Sequence, residues 1–219
     1  MNIEQKKGLQ APVVPVADVE DGLIKTADLM SDVVVSFPLW AEAEERDTHQ
    51  LLINGILVGQ PLPLSSPLPK EVTLMISIEE ELKEDGIYAV GYRATRFLGG
   101  TFADSPATII KVDRTAPGAS LLAPMIFPDV TLAENLLGTV PGYAGMQAGD
   151  VIQSLCNGIK GATYRVKPEN MTTRPVEVTF RREFLQTLDS EEVVIDYHVT
   201  DRAGNQSMTA QPVTLSLQL

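Results

Sequence analysis

Residues 38–56, PLWAEAEERDTHQLLINGI, align without a gap with residues 141–159, PGYAGMQAGDVIQSLCNGI. Eight positions of this alignment are identical at an offset of 103 residues, and Trp40 is matched by Tyr143. Self-similarity at a fixed spacing indicates duplicated structural units. Because a catalytic cleft is seldom built twice in one chain, the repeat favours two similar domains over an enzyme.

Length and repeat spacing together predict the domain organisation. The 219 residues are enough for two domains of about 100 residues each, a size at which each half can bury its own core. The sequence predicts a flexible segment at residues 1–11, a first domain at 12–114, a linker at 115–118 and a second domain at 119–219. The linker assignment depends on Pro117 and Gly118, which stop strand pairing and stiffen the chain.

The charge and hydropathy of the chain exclude several partners. A formal net charge of −12 repels phosphate backbones and anionic lipids, so we expect no nucleic-acid binding. No segment approaches the ~20 apolar residues of a membrane-spanning helix, so we expect no membrane insertion. The first residues carry two lysines without a following apolar stretch, which is not the pattern of a signal peptide.

Short apolar runs separated by Gly, Pro, Asp and Asn predict an all-β sandwich in each half. The predicted strands of the first half are 33–37, 49–58, 72–78, 87–95 and 107–112, and those of the second half are 136–140, 151–156, 164–166, 176–180, 193–200 and 213–219. Alternation with period two places four side chains, Val72, Leu74, Ile76 and Ile78, on one buried face. Single helical turns are expected near 77–83, with a capping box, and near 181–188, each crossing between two sheets.

Three motifs carry a family resemblance. The sequence DGIY at 85–88 is similar to the start of strand F in an immunoglobulin-like domain, where a tyrosine, here Tyr88, bonds back to the chain. YHVTDRAGN at 197–205 and VDRTAP at 112–117 resemble the terminal hairpin and the linker of bacterial immunoglobulin-like (Big-type) repeats in large surface and adhesin-like proteins. The first half departs from this hairpin, since RFLGG at 96–100 replaces DRAGN.

This resemblance implies a fold, a function and a location. The expected fold is all-β, with two tandem immunoglobulin-like β-sandwich domains. The expected function is a non-enzymatic binding or spacer unit of a bacterial surface or secreted repeat protein acting in adhesion, with a protein or glycan ligand on a cell surface. Further repeats of the same chain and an extracellular or cell-surface location belong to the same expectation. The alternative is a carbohydrate-binding or accessory domain of a secreted enzyme or toxin.

Site chemistry gives no catalytic, cofactor-binding or metal-binding assignment. His49 and His198 fall in different halves, so neither supports a nucleophile in the other, and both are interpreted as strand residues. Cys156 aligns with Ile53, which predicts a buried thiol. A carbohydrate-binding module would need exposed aromatic residues on one face, and the few aromatics here are mostly explained as core or strand residues.

The residues shared by both repeats are interpreted as structural. Asp47 and Asp150 are predicted to cap the turn before a strand, because an Asp accepts hydrogen bonds from nearby backbone amides. The Asn-Gly pairs at 54–55 and 157–158 predict type I′ hairpin turns. The acidic runs at 42–47 and 79–85 are interpreted as solvated loops.

One metal hypothesis stays open. In related adhesin repeats, aspartates of the VDxTAP linker can help to hold calcium between domains. Asp113 matches the linker position here, and Asp201 matches the aspartate of the hairpin. Calcium prefers six to eight oxygen ligands, however, and Arg114 follows Asp113 directly. The hypothesis is tested by a thermal melt in chelator and in millimolar calcium, where an unchanged midpoint would contradict it.

Overall fold

The computed structural model describes residues 8–118, 120–128, 135–172 and 174–216, and strands predominate in them. The chain divides into two units with the boundary between Asp113 and Arg114. The predicted linker follows this boundary directly, and within it the N–H of Gly118 donates to the carbonyl of Ala144 in the second unit. Most of the predicted flexible segment lies outside the described residues, but Leu9 packs against the first core.

The first unit is a sandwich of two antiparallel sheets. Strand β1 pairs with β4 in one sheet, while β2 pairs with β3 and β5 in the other. Strand β5 also pairs with β6 through residues 93–95 and with β7 through residues 86–90. The strands are β1 (Val33–Pro38), β2 (Thr48–Ile53), β3 (Ile56–Pro63), β4 (Glu71–Ile76), β5 (Gly86–Thr95), β6 (Phe102–Asp104) and β7 (Thr108–Val112), preceded by a 3-10 helix at Thr26–Met30.

The second unit repeats this plan. Strand β8 pairs with β11, and a second sheet has the order β10, β9, β12, β13. Its elements are β8 (Asn135–Val140), β9 (Val151–Cys156), β10 (Ile159–Arg165), β11 (Val176–Arg181), α1 (Arg182–Gln186), β12 (Glu192–Thr200) and β13 (Val213–Ser216), with a 3-10 helix at Pro168–Met171. The chain therefore has the predicted fold class, all-β with two tandem immunoglobulin-like β-sandwich domains.

Each core lies between the two sheets of its unit, on the faces predicted by the alternating pattern. Val72, Leu74 and Ile76 of β4 are buried, while the residues between them are exposed. In β12 the fully buried face consists of Val193, Ile195, Tyr197 and Val199. In the first core the rings of Phe37 and Tyr92 stack with centroids 3.5 Å apart.

Two predicted strands have different bounds in the structure. The predicted strand 49–58 is two strands, β2 and β3, because the Asn54-Gly55 turn reverses the chain between them. The predicted strand 164–166 begins earlier, at Ile159, since β10 pairs with β9 along its length apart from a register shift between Lys160 and Thr163. The end of the predicted strand 213–219 lies outside the described residues, which reach Ser216.

The two predicted crossings between sheets are present, and they differ in form. Residues 77–83 form turns rather than a helix, although Ser77 Oγ accepts the N–H of Glu80 at 3.4 Å as an N-cap would. The second crossing contains α1, between β11 of one sheet and β12 of the other. Each crossing buries one leucine completely, Leu82 in the first unit and Leu185 in the second.

Candidate functional site

Asp47 connects two loops at one end of the first unit. It is 1% exposed and is the last residue of the β1–β2 turn, residues 39–47. Its Oδ2 accepts the N–H of Glu44 at 3.1 Å, which confirms the predicted turn cap. Its Oδ1 accepts the N–H of Phe97 at 2.9 Å, in the β5–β6 hairpin, residues 96–101. We call the β1–β2 turn and the β5–β6 hairpin together the loop end of the first unit.

Asp150 performs the same capping role in the second unit, where the hydroxyl of Tyr143 is an additional donor. It is fully buried, and its Oδ2 accepts the N–H of Gln147 and the hydroxyl of Tyr143, each at 2.9 Å. Burial and the neighbouring Asp150 carboxylate raise the pKa of Tyr143 far above its ordinary value. Tyr143 therefore stays protonated as the donor in this bond. The capping Asp belongs to the framework that both units share, and in the first unit it also accepts a hydrogen bond from the β5–β6 hairpin.

Arg96 organises the acidic turn of the first unit. Its Nη1 lies 3.4 Å from Asp47 Oδ2 and 3.8 Å from Glu44 Oε1, and its Nη2 lies 3.3 Å from Glu42 Oε2. Nη1 also donates to the Glu42 carbonyl. The acidic run 42–47 is thus exposed, as predicted, except at Asp47, and the hairpin arginine holds it in place. Each exposed pair alone contributes about 0–1 kcal/mol, so the contribution of Arg96 comes from joining several.

The β5–β6 hairpin of the first unit presents apolar side chains to solvent. Phe97 is 49% exposed, Leu98 76% and Phe102, at the start of β6, 61%. The guanidinium of Arg46 lies 3.9 Å from the centroid of the Phe97 ring, and that of Arg93 lies 3.9 Å from the Phe102 centroid. Cation–π contacts of this kind orient exposed rings and contribute about 0.5–1 kcal/mol each.

Arg93 is itself fixed by Asp104. Its Nε and Nη2 donate to the two carboxylate oxygens of Asp104 at 2.6 and 2.8 Å. This bidentate bond holds the pKa of Asp104 below its ordinary value. Bidentate Arg–carboxylate pairs add geometric specificity to the charge attraction. The ring of Phe102 therefore lies against a guanidinium that is anchored through Nε and Nη2.

The corresponding hairpin of the second unit has the opposite character. Asp201 Oδ1 accepts the N–H of Asn205 at 2.8 Å, and Asp201 Oδ2 accepts its side-chain amide at 2.9 Å. Ala203 and Asn205 are buried. The hairpin is closed by its own polar side chains and carries no aromatic residue. Asp201 thus stabilises its own hairpin, and this role does not depend on the calcium hypothesis.

A cleft of about 210 Å³ lies beside the first hairpin. Trp40 and Phe102 contribute its aromatic walls, Leu9 an aliphatic one, and Thr95, Arg96 and Thr101 its polar edge. Trp40 is half-buried and packs against the first core, as Tyr143 does against the second. Its equivalence with Tyr143 in the repeat therefore reflects packing, while the cleft at Trp40 adds a concave surface.

The residues considered for catalysis lie in structural positions. His49 is a buried residue of β2, and burial lowers its pKa below 6.5. Cys156 is fully buried as predicted, and burial followed by the charge of Asp196 raises the pKa of its thiol to about 11. Among the described residues no group of three or more His, Cys, Asp or Glu side chains is placed to hold a metal ion.

Sequence reasoning missed the exposed aromatics Phe97 and Phe102. The signal was the departure of residues 96–100 from the hairpin pattern, but a departure alone does not show which side chains face solvent.

The sequence also predicted only turn geometry for Asn54. Its φ is +53°, followed by +78° at Gly55. Asn54 Oδ1 in addition accepts the N–H of Ala89 at 2.8 Å, and Asn157 Oδ1 accepts that of Val194 at the same distance.

Comparison with known proteins supports the fold and does not give a family. No protein-family model matches the sequence, and no curated protein matches it. A solved structure from a 1.5-MDa bacterial ice-binding adhesin, determined in the context of host cell surface retention, is 16% identical and superposes with a TM-score of 0.50. The alignment covers 96% of this chain and 65% of that one, so the chain spans somewhat less than two thirds of the adhesin structure.

Two further similar structures have lower scores. Fibronectin(III)-like modules of Clostridium thermocellum CbhA are 14% identical with a TM-score of 0.46, and 94% of this chain aligns with 93% of that one. The adhesin domain of Epf from Streptococcus pyogenes is 11% identical with a TM-score of 0.33, over 96% and 89% of the two chains. In the described part of the chain no helix is long and apolar enough to cross a membrane.

Proposed function

We propose that the chain is a non-enzymatic binding unit of a bacterial surface or secreted repeat protein, acting in adhesion, and that it contacts its ligand through the loop end of the first unit. The observation that carries this proposal is the exposed apolar hairpin tip of Phe97 and Leu98, which is bonded through the Phe97 amide to the buried Asp47. Loops positioned by a rigid scaffold are where such folds carry recognition.

The physical reason is that the tip is apolar and held in one place. Exposed aromatic and aliphatic side chains gain free energy when a partner buries them, and aromatic and arginine residues dominate binding energy at protein surfaces. Arg46 on the Phe97 ring and Arg96 on the acidic turn restrict the motion of the loop end before any partner arrives. Restricting these groups in advance reduces the entropy lost on binding.

The partner we propose is a protein or glycan on a cell surface, and the location we propose is extracellular or at the cell surface. The net charge of −12 disfavours nucleic acid. We propose that further repeats of the same type extend the chain. The second unit, whose hairpin is polar and is closed by hydrogen bonds between Asp201 and Asn205, then serves as the spacer.

The test is a cell-binding assay and a glycan array with the intact chain and two matched variants. The double variant Phe97→Ser and Leu98→Ser removes the apolar tip, while Met208→Ser removes an equally exposed apolar side chain from the second unit. We expect the tip variant to lose most of the binding and the Met208 variant to keep it. Binding that is unaffected by the tip variant contradicts the site, and no binding by the unaltered chain leaves only the spacer role.

A further inference from the structure

We propose that the cleft beside Trp40 is a binding subsite for one uncharged sugar ring of a glycan. This inference deepens the proposed function, because it names the ligand class for one part of the loop end. It follows from the groups that line the cleft. The charged ones are already paired within the protein, so neutral hydrogen-bonding groups and aromatic surface are what a ligand can contact.

The charged groups around the cleft already have partners. Arg93 is bound bidentately by Asp104, at 2.6 and 2.8 Å. Arg96 is shared among Glu42, Glu44 and Asp47, at 3.3 to 3.8 Å. A charged ligand would have to separate these pairs to form its own, and would lose much of what it gains. The cleft therefore favours an uncharged ligand.

The groups that stay available are neutral hydrogen-bonding groups and aromatic surface. The hydroxyls of Thr95 and Thr101 and the indole N–H of Trp40 make no hydrogen bond with the described part of the chain, and all three residues line the cleft. Hydroxyls both donate and accept, whereas an indole N–H only donates. This combination suits a ligand that carries several hydroxyl groups.

Aromatic walls and cleft volume narrow the ligand class further. Trp40 and Phe102 supply apolar surface on which the C–H face of a pyranose ring can pack while its hydroxyls meet the polar edge. The volume of about 210 Å³ is below the ~300–1,000 Å³ of sites that hold a whole drug-sized ligand. The cleft is thus sized for one ring, with the rest of a glycan outside it.

Trp40 is the only tryptophan of the chain, so its fluorescence reports on this cleft alone. The experiment titrates the intact chain with glucose, galactose, mannose and N-acetylglucosamine and with short neutral oligomers of each. We expect a saturable change in Trp40 emission with at least one of these sugars, at a dissociation constant on the order of 1 mM for a single ring. A lysine-rich peptide and a sialylated glycan serve as charged probes.

Three variants assign the response to the cleft. Thr101→Val removes one hydroxyl without changing the shape, and Phe102→Ala removes an aromatic wall; each is expected to weaken binding by about tenfold. Ile87→Ala is the matched control, because Ile87 is an exposed apolar residue of the first unit, at the start of β5, that does not line the cleft. It should leave the sugar affinity unchanged. All four proteins are checked for equal unfolding midpoints.

The outcomes separate this inference from the proposed function. The subsite is overturned when no neutral sugar gives a saturable change, when only charged probes do, or when Ile87→Ala weakens sugar binding as much as Phe102→Ala. If cell binding nevertheless depends on the tip at Phe97 and Leu98, adhesion through the hairpin stands and the partner is a protein. If sugars bind in the cleft but cells do not bind the chain, the subsite stands and the adhesive function fails.

Discussion

Arg46 and Gly149 occupy the same position of the repeated turn, and both have a left-handed backbone, with φ of +77° and +101°. Glu42 and Gly145, four residues earlier in each copy, form a second such pair, at +59° and +73°. A residue with a Cβ pays about 1–2 kcal/mol in this region, whereas glycine does not. The first unit therefore keeps strain in the loop that carries its candidate site, and the second avoids it.

The glycines of the second turn should differ in how well they tolerate alanine. At Gly145 an added Cβ meets nothing within 4 Å, so Gly145→Ala should cost about 1 kcal/mol from backbone strain alone. At Gly149 the Cβ would also lie 2.9 Å from Cγ and Cδ of Arg202, so Gly149→Ala should cost about 2 kcal/mol. Urea unfolding of the two variants measures the difference, and equal costs would show that Arg202 moves aside freely.

Removing the Asp47 carboxylate should destabilise the first unit strongly. The buried carboxylate accepts backbone N–H groups from both Glu44 and Phe97, and bonds to charged acceptors contribute about 1.5–3 kcal/mol. We expect Asp47→Ala to lower the free energy of unfolding by about 3 kcal/mol, and Asp47→Asn by less, because the amide keeps one acceptor. Glu45→Ala, at an exposed neighbour in the same turn, is the control and should stay within about 0.5 kcal/mol.

The Tyr88 hydroxyl is expected to contribute measurably to stability. It donates to the carbonyl of Glu84 at 2.7 Å, the corner bond predicted from the sequence. Tyr88→Phe removes this bond and little else, so the free energy of unfolding should fall by about 1 kcal/mol. Tyr197→Phe, which removes a 2.8 Å bond to the carbonyl of Ala123, provides the comparison in the second unit. An unchanged denaturation midpoint for Tyr88→Phe would mean that water replaces the bond without loss.

The stability of the first unit should decrease at mildly acidic pH because of His49. Burial lowers the pKa of this imidazole below its ordinary value of 6.5, so the unfolded chain binds the proton more readily than the folded chain does. The contribution of neutral His49 to the stability of the first unit is present above pH 6.5 and is lost as the pH falls below that value. We expect His49→Ile, the residue found at position 152 of the other copy, to flatten this dependence between pH 7 and 5, roughly the range in which an ordinary imidazole titrates. His198→Gln, in the second unit, should leave this pH dependence of the first unit unchanged.

Cys156 should report the unfolding of the second unit. The thiol is fully buried, and burial raises its pKa to about 11, so little of it is present as the reactive thiolate at pH 8. A disulfide reagent such as dithiobis(nitrobenzoic acid) should label the native chain at least about 100-fold more slowly than the chain in urea. Rapid labelling of the native protein would show that β9 opens without global unfolding.

The sequence predicted those parts of the fold in which a side chain forms hydrogen bonds to the backbone of a turn. Asp47 and Asn54 recur because each satisfies specific amides, and the tasks are the same in both copies. Alternation predicted the buried faces of β4 and β12, because both strands have one face in a core. It missed the start of β10, where Gln153 and Ser154 bind the carbonyls of Gly161 and Ala162 and the residues do not alternate.

The candidate site could not be predicted in the same way. Phe97 and Phe102 are apolar, and a sequence pattern assigns apolar residues to a core unless tertiary structure shows them exposed. Their exposure depends on where the hairpin lies relative to the β1–β2 turn, and that is set by the Asp47–Phe97 and Arg96–Glu42 contacts across about 50 residues of sequence. Contacts at such separations leave no periodic trace in the sequence.

The β5–β6 hairpin closes on itself through the N–H of Arg96, which donates to the carbonyl of Thr101 at 2.8 Å. The four residues between them lie outside the sheet ladder, and none belongs to either core. Side-chain changes at Phe97 and Leu98 therefore alter the surface of the loop end without removing a residue from either core. Substitutions confined to these side chains can diversify the exposed surface of the loop end while the buried residues of both cores are inherited unchanged.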